Sequence, residues 1–262
     1  MSKLSAEQQN ENILNAWLNS KSQTSTDESF DFLTFVFEPQ RIFKYLIAII
    51  SCLVILNSIA IFYQHGLNGK EDGIGRLIPM FSLNSEASIP STYSSIALLL
   101  CSVLLAIITK SKYRQTNRYR RYWKFLSIIF LYLAIDEAAS IHELGIGITY
   151  KIIDAGGFFY YAWVIPAIIL FSLFSLIYLK FVLSLPKKTR LLFILSAATF
   201  MGGAVGAEMI CGKIVTLQGE NSLIYALMTT VEETLEMVGI AVFIYTLTDY
   251  LKKYVKPVII RF

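Results

Sequence analysis

An all-α, polytopic membrane protein is the fold class the sequence predicts, and three observations predict it. Apolar side chains make up 55% of the 262 residues while only 16% are charged, well below the roughly 25% usual in a soluble chain. The charges fall in blocks between long apolar runs, and the mean hydropathy is +0.56, a membrane pattern rather than that of a globular core. Lys and Arg are crowded into alternate blocks, the distribution that orients a chain across a bilayer.

Residues 1–40 read as a polar cytoplasmic tail. Within it Ile13, Leu14, Trp17 and Leu18 recur at helical spacing, which predicts a short amphipathic helix at 5–20 lying on the bilayer surface. The aromatic stretch from Phe30 to Phe37 reads as an interfacial lead-in. No short apolar segment follows a basic start, so insertion is expected to use the first span and not a cleaved leader.

Residues 41–262 form the expected transmembrane domain. A helix crossing the bilayer core needs about 20 apolar residues, and six segments qualify: Phe43–Tyr63, Thr92–Ile108, Trp123–Gly145, Phe158–Leu183, Leu191–Cys211 and Leu223–Leu251. The connection Gln64–Ser91, with four glycines and two prolines, is the long one. Fifteen of the 23 basic residues lie in three regions: Lys110 to Lys124, Lys180 to Arg190, and Lys252 to Arg261. Six spans in one bundle put all three regions on one side, so both termini are expected in the cytoplasm. Five or seven spans would break that agreement.

Seven of the 19 acidic residues fall well inside the expected spans: Asp136, Glu137, Glu143, Glu208, Glu232, Glu233 and Glu236. His142 joins them. An ionised carboxylate near the bilayer centre costs several kcal/mol unless paired or hydrated. The span interiors offer no Lys or Arg as partner, so protons or metal cations must neutralise the group. The topology places all of these acids toward the non-cytoplasmic ends of three helices, at one depth. Helical phase sharpens the cluster. At roughly 100° per residue, Asp136 and Glu143 lie about 20° apart and share a face with Tyr132 and Ser140. Glu232 and Glu236 face together, with Tyr225 seven residues earlier, and Glu233 approaches Glu236. Glu208 follows the small-residue run Gly202-Gly203-Ala-Val-Gly206, which allows close helix contact.

Carboxylates from facing helices plus a histidine are how helical bundles hold di-iron or di-manganese centres, and hard oxygen donors favour Fe, Mn, Mg or Ca. The expected metal ligands are therefore Asp136, Glu137, His142, Glu143, Glu208, Glu232, Glu233 and Glu236, with Fe or Mn as a di-metal cofactor. His142 doubles as the candidate acid–base residue, and Tyr132 and Tyr225 as donors to the ligands. The arrangement departs from the Glu-x-x-His pattern of ferritin-like bundles, and the sixth span has no histidine. His65 lies just beyond the first span, where a solvated loop position is expected. Cys52, Cys101 and Cys211 are too far apart in sequence to form a metal or redox pair.

The runs around Asp136-Glu137-Ala-Ala-Ser-Ile-His142-Glu143 and Glu232-Glu233-Thr-Leu-Glu236-Met resemble motifs of uncharacterised bacterial multi-pass membrane proteins over about the last half of the chain. That resemblance implies a bacterial membrane protein and carries no activity. Membrane desaturases use about eight histidines, against two here. Intramembrane CAAX-type proteases follow their Glu-Glu pair with an Arg and further histidines that this chain lacks.

Three functions compete on this basis. The first is a metal-dependent enzyme acting on a lipophilic substrate. The second is a proton or divalent-cation transporter, although its site would be expected nearer the midplane, between repeated halves that this sequence does not show. The third is a non-catalytic subunit or assembly factor. The expected partners are the lipid bilayer and a lipophilic substrate, with no nucleic acid. The expected location is the bacterial cytoplasmic membrane or a thylakoid-like one.

Overall fold

The computed structural model describes residues 11, 15, 33–34, 38–66, 78–85, 88–113, 119–141, 156–255 and 259–260. Most of the expected tail, with its amphipathic helix, lies outside the described residues, as do His142 and Glu143. Among the described residues, the regular structure is helical apart from one two-residue antiparallel pairing of β1 (Leu33–Thr34) with β2 (Ile259–Ile260).

Helix α1 (Pro39–Gly66) starts on a proline, whose missing N–H costs nothing in a first turn. A short α2 (Ile78–Phe81) leads to α3 (Ile89–Tyr113), where the Ser91 N–H donates to the Ser88 hydroxyl at 3.2 Å and caps the start. Helix α4 (Arg120–Ala139) ends where Ser140 turns left-handed, φ 53°, and donates its N–H to the Asp136 carbonyl. After a 3₁₀ turn at Gly157–Phe159, α5 (Val164–Ser184) stops at Leu185, which the following Pro186 holds extended. Helix α6 (Lys187–Met201) runs through a π-helical turn at Gly202–Ala207 into α7 (Glu208–Gln218). Helix α8 (Leu223–Tyr254) closes the bundle.

Four helical stretches are long and apolar enough to cross a membrane: Pro39–Gly66, Ile89–Ser111, Val164–Ser184 and Lys187–Gln218. Helices α4 and α8, which carry Asp136, Glu137, Glu232, Glu233 and Glu236, occupy the other two expected positions and fall outside this set. The apolar surface is consistent with lipid as the outer solvent. On α5, Leu170 and Leu176 are 66% and 69% exposed, a costly arrangement in water.

Helix α8 is the axis, packed by α1, α3, α6, α7 and the π turn. At one end, Trp123, Phe181, Phe193 and Tyr250 interlock, with Phe181 edge-on to Trp123 at 5.0 Å and stacked on Tyr122 at 5.3 Å. Such pairs each add about 0.5–1.5 kcal/mol beyond burial. Asp249, buried at this end, takes Lys188 at 3.2 Å and Lys253 at 3.0 Å. Nearer the other end, buried Asn57 donates to Thr230 Oγ1 at 2.8 Å and accepts the Leu83 N–H at 3.0 Å, tying α1 to α8.

Helices α6 and α8 run antiparallel at backbone contact. A Cβ on Gly203 would lie 2.7 Å from the Glu232 carbonyl oxygen, and one on Gly239 would lie 2.7 Å from the Phe200 nitrogen. Gly202 has nothing within 4 Å of that position. Gly203→Ala should therefore cost about 1–3 kcal/mol through overpacking, whereas Gly202→Ala should be neutral or stabilising. Thermal melts of the two variants in the same detergent check this; equal melting temperatures would refute the contact.

Candidate acidic cavity

The antiparallel register of α6–α7 against α8 brings Glu208 level with Glu232, and α4 ends beside them. Together they line a cavity of about 680 Å³ that holds Asp136, Glu137, Glu208, Glu232, Glu233 and Glu236. Each helix contributes one stripe. On α8 the stripe is Tyr225, Thr229, Glu232, Glu233, Glu236 and Ile240, steps of three, four and one that fall on one face. On α4 it is Leu133, Asp136, Glu137 and Ser140. Along α6–α7 it includes Phe200, Ala204, Glu208 and Cys211. The π turn between them is built from Gly202, Gly203 and Gly206, residues that make a regular α-helix less favourable and a widened turn less costly. Such turns recur at functional sites.

Glu232 is buried at 7% exposure and accepts a hydrogen bond from the Cys211 thiol at 3.2 Å. Glu208 accepts one from the Trp163 indole N–H at 3.3 Å. The Tyr161 and Tyr225 hydroxyls lie 3.0 Å apart at the cavity end that carries the 156–163 and 219–222 connections. Burial, reinforced by the Tyr225 hydrogen bond and the nearby acids, pushes the Tyr161 phenol up, so it stays protonated at neutral pH. The acids are one another's electrostatic neighbours: Glu208 acts on Glu232, Glu233 and Glu236, and Glu137 on Glu233 and Glu236. Among the described residues, the lining contains no Lys or Arg. Lys213, on α7, instead stands over the Phe158 ring at 4.6 Å.

Six of the eight expected metal ligands thus meet in one lining, and His142 and Glu143 lie outside the described residues. Among the described residues, no group of three or more His, Cys, Asp or Glu side chains is arranged to hold a metal ion. Helix α4 closes at Ala139 and Ser140 takes the left-handed conformation, and the expected face joining Asp136 to Glu143 runs outside the described residues. One expectation is corrected. Tyr132 is 55% exposed and outside the lining, because the cavity-facing stripe of α4 runs through Leu133 and Asp136 instead. Ser140 and Tyr225 do line the cavity, and Glu137 and Glu233 belong to the stripes despite their phase offset. His65 sits half-buried in the last turn of α1, outside the lining. The sequence reading missed Tyr161, Trp163, Cys211 and Glu220. Cys211 was reachable, being one helical step beyond Glu208. The other three sit in connections, where no period marks them.

The family model described as Domain of unknown function (DUF8692) matches residues 46–250, a range that contains every described residue of the cavity lining. No curated protein and no solved structure matches the chain.

Crowded carboxylates without a cation repel one another. In chelator-treated protein, Glu236→Gln keeps the side-chain shape and removes one repulsion. Its melting temperature should be unchanged or higher by about 2–4 °C. A fall of that size would show that the native carboxylate is paired with a cation that survives chelation.

Proposed function

We propose a cation-dependent membrane function for this chain, which belongs to the DUF8692 family: a metal-dependent enzyme acting on a lipophilic substrate. One observation carries the proposal. Seven acidic side chains, Glu220 among them, share a lining that, among the described residues, contains no Lys or Arg and includes the apolar Phe171, Phe200 and Ile240. Buried carboxylates need a compensating cation or a proton, and the apolar wall suits a substrate entering from lipid.

In this reading Glu208, Glu232 and Glu236 supply oxygen donors for a hard ion such as Fe or Mn. Asp136, Glu137 and Glu233 complete the negative field, and His142 and Glu143 add the remaining ligands. His142 moves the proton. Tyr225, coupled to Tyr161, orients what binds at the connection end. Six spans with cytoplasmic termini are part of the same proposal. Helices α4 and α8 run beside helices long and apolar enough to cross a membrane. At roughly 1.5 Å per residue they are about 30 and 48 Å long, enough to cross with them.

A second reading is transport of protons or a divalent cation through the same acids. It is favoured by the lack, among the described residues, of a ready-made three-ligand metal group.

Elemental analysis of protein purified without chelator separates the two. Near-stoichiometric Fe or Mn, lost in Glu208→Ala/Glu236→Ala, is the expected result. Metal-free protein that moves protons or cations into vesicles, with flux lost in that variant, would establish the second reading instead. Neither metal nor flux would remove both. The topology has its own check. In a cysteine-free background, Asn221→Cys should react with an impermeant maleimide from the outer side of intact cells, and Ser184→Cys only after lysis. The reverse pattern would invert the orientation.

A further inference from the structure

A second cavity, about 450 Å³, lies between α3 and α4 at the end of the bundle remote from the acids. Ala106 and Lys110 on α3 and Arg120, Lys124 and Ile128 on α4 line it. The Ser95 hydroxyl donates to the Ala134 carbonyl, and Ser102 and Ser127 each donate to the other's carbonyl at 2.8 and 2.9 Å, so the helices run antiparallel.

This register sorts the lining by depth. Ala106 and Lys110 are one helical step apart, as are Arg120, Lys124 and Ile128. Lys110 and Arg120 therefore sit together at the end of the groove, Lys124 lies one turn inward at the level of Ala106, and Ile128 lies one turn deeper still. Lys110 is adjacent to the last residue of the apolar stretch Ile89–Ser111, which puts Lys110 and Arg120 at headgroup depth if that stretch crosses the membrane, with Lys124 one turn inside, where a long lysine side chain reaches back toward the headgroups. Ile128 is 52% exposed, and Lys110 and Lys124 are exposed. No acidic side chain is among the described residues lining this groove.

We propose that this groove binds an anionic phospholipid, with Lys110, Arg120 and Lys124 on the headgroup phosphate and an acyl chain along Ala106 and Ile128. A basic rim above an apolar floor matches that amphiphile end to end. Free phosphate shares the first contact but has nothing to place on the second. The proposal does not depend on what the acidic cavity does.

The test uses the full chain in detergent and native mass spectrometry, with phosphatidylglycerol, phosphatidylcholine and inorganic phosphate as probes. Phosphatidylglycerol should bind tighter than phosphatidylcholine by roughly tenfold or more. Lys110→Gln/Lys124→Gln should lose about that factor. Lys180→Gln/Lys187→Gln, which removes two charges from the same end but outside the groove, should not. Equal loss in both double variants would reduce the effect to diffuse attraction and overturn the site. Equal binding of the two lipids, or displacement of phosphatidylglycerol by millimolar inorganic phosphate, would overturn the lipid assignment.

Discussion

The backbone contact between α6 and α8 is the constraint on which the rest of the structure depends. Gly203 lies against the Glu232 carbonyl and Gly239 against the Phe200 backbone. With side chains on both, the two helices would have to separate. The Ser196 hydroxyl donates to the Gly239 carbonyl at 2.9 Å and fixes the register at the same place. Close approach here holds α7 near α8 one turn farther on, so that Glu208 and Cys211 reach the cavity beside Glu232. Apolar burial alone would not choose this register, since lipid chains are as apolar as leucine.

Charge is separated along the bundle. At one end Asp249 is compensated by Lys188 and Lys253 within an aromatic cluster. At the other end the acids have one another as neighbours. The two ends obey one rule, that a buried charge requires an opposite charge or a proton. They satisfy it differently. The first end meets the rule with side chains of the chain itself. At the second, hydrogen bonds from Cys211 and Trp163 stabilise Glu232 and Glu208 and neutralise neither. That asymmetry turns attention to the acidic end for chemistry and to the basic end for anchoring.

Much of the acidic site was legible in the residues. Asp136 with Ser140, and Glu232 with Glu236, are one helical turn apart, and a regular helix keeps such pairs together. A common depth for Asp136, Glu208 and Glu232 was expected from counting basic blocks, and the three residues share one lining. Helical phase is defined only as far as the helix runs, and at Ser140 the backbone turns left-handed. The phase argument failed for Tyr132, because the spacing of residues along a helix does not say which way that helix is rotated against its neighbours.

By itself, the sequence determined what is local: the helices, their apolar character, and the acids carried on three of the helical stretches. Hydropathy and a period of 3.6 residues are properties of short stretches and can be read without neighbours. Only the tertiary structure decided the rotation of each helix about its axis and the widening of the turn at Gly202–Ala207. It alone brought Tyr161 and Trp163 from a connection to the cavity. Those choices come from contacts between residues distant in the chain, where Gly203 meets Glu232 and Trp163 meets Glu208, and no periodicity within one segment encodes them.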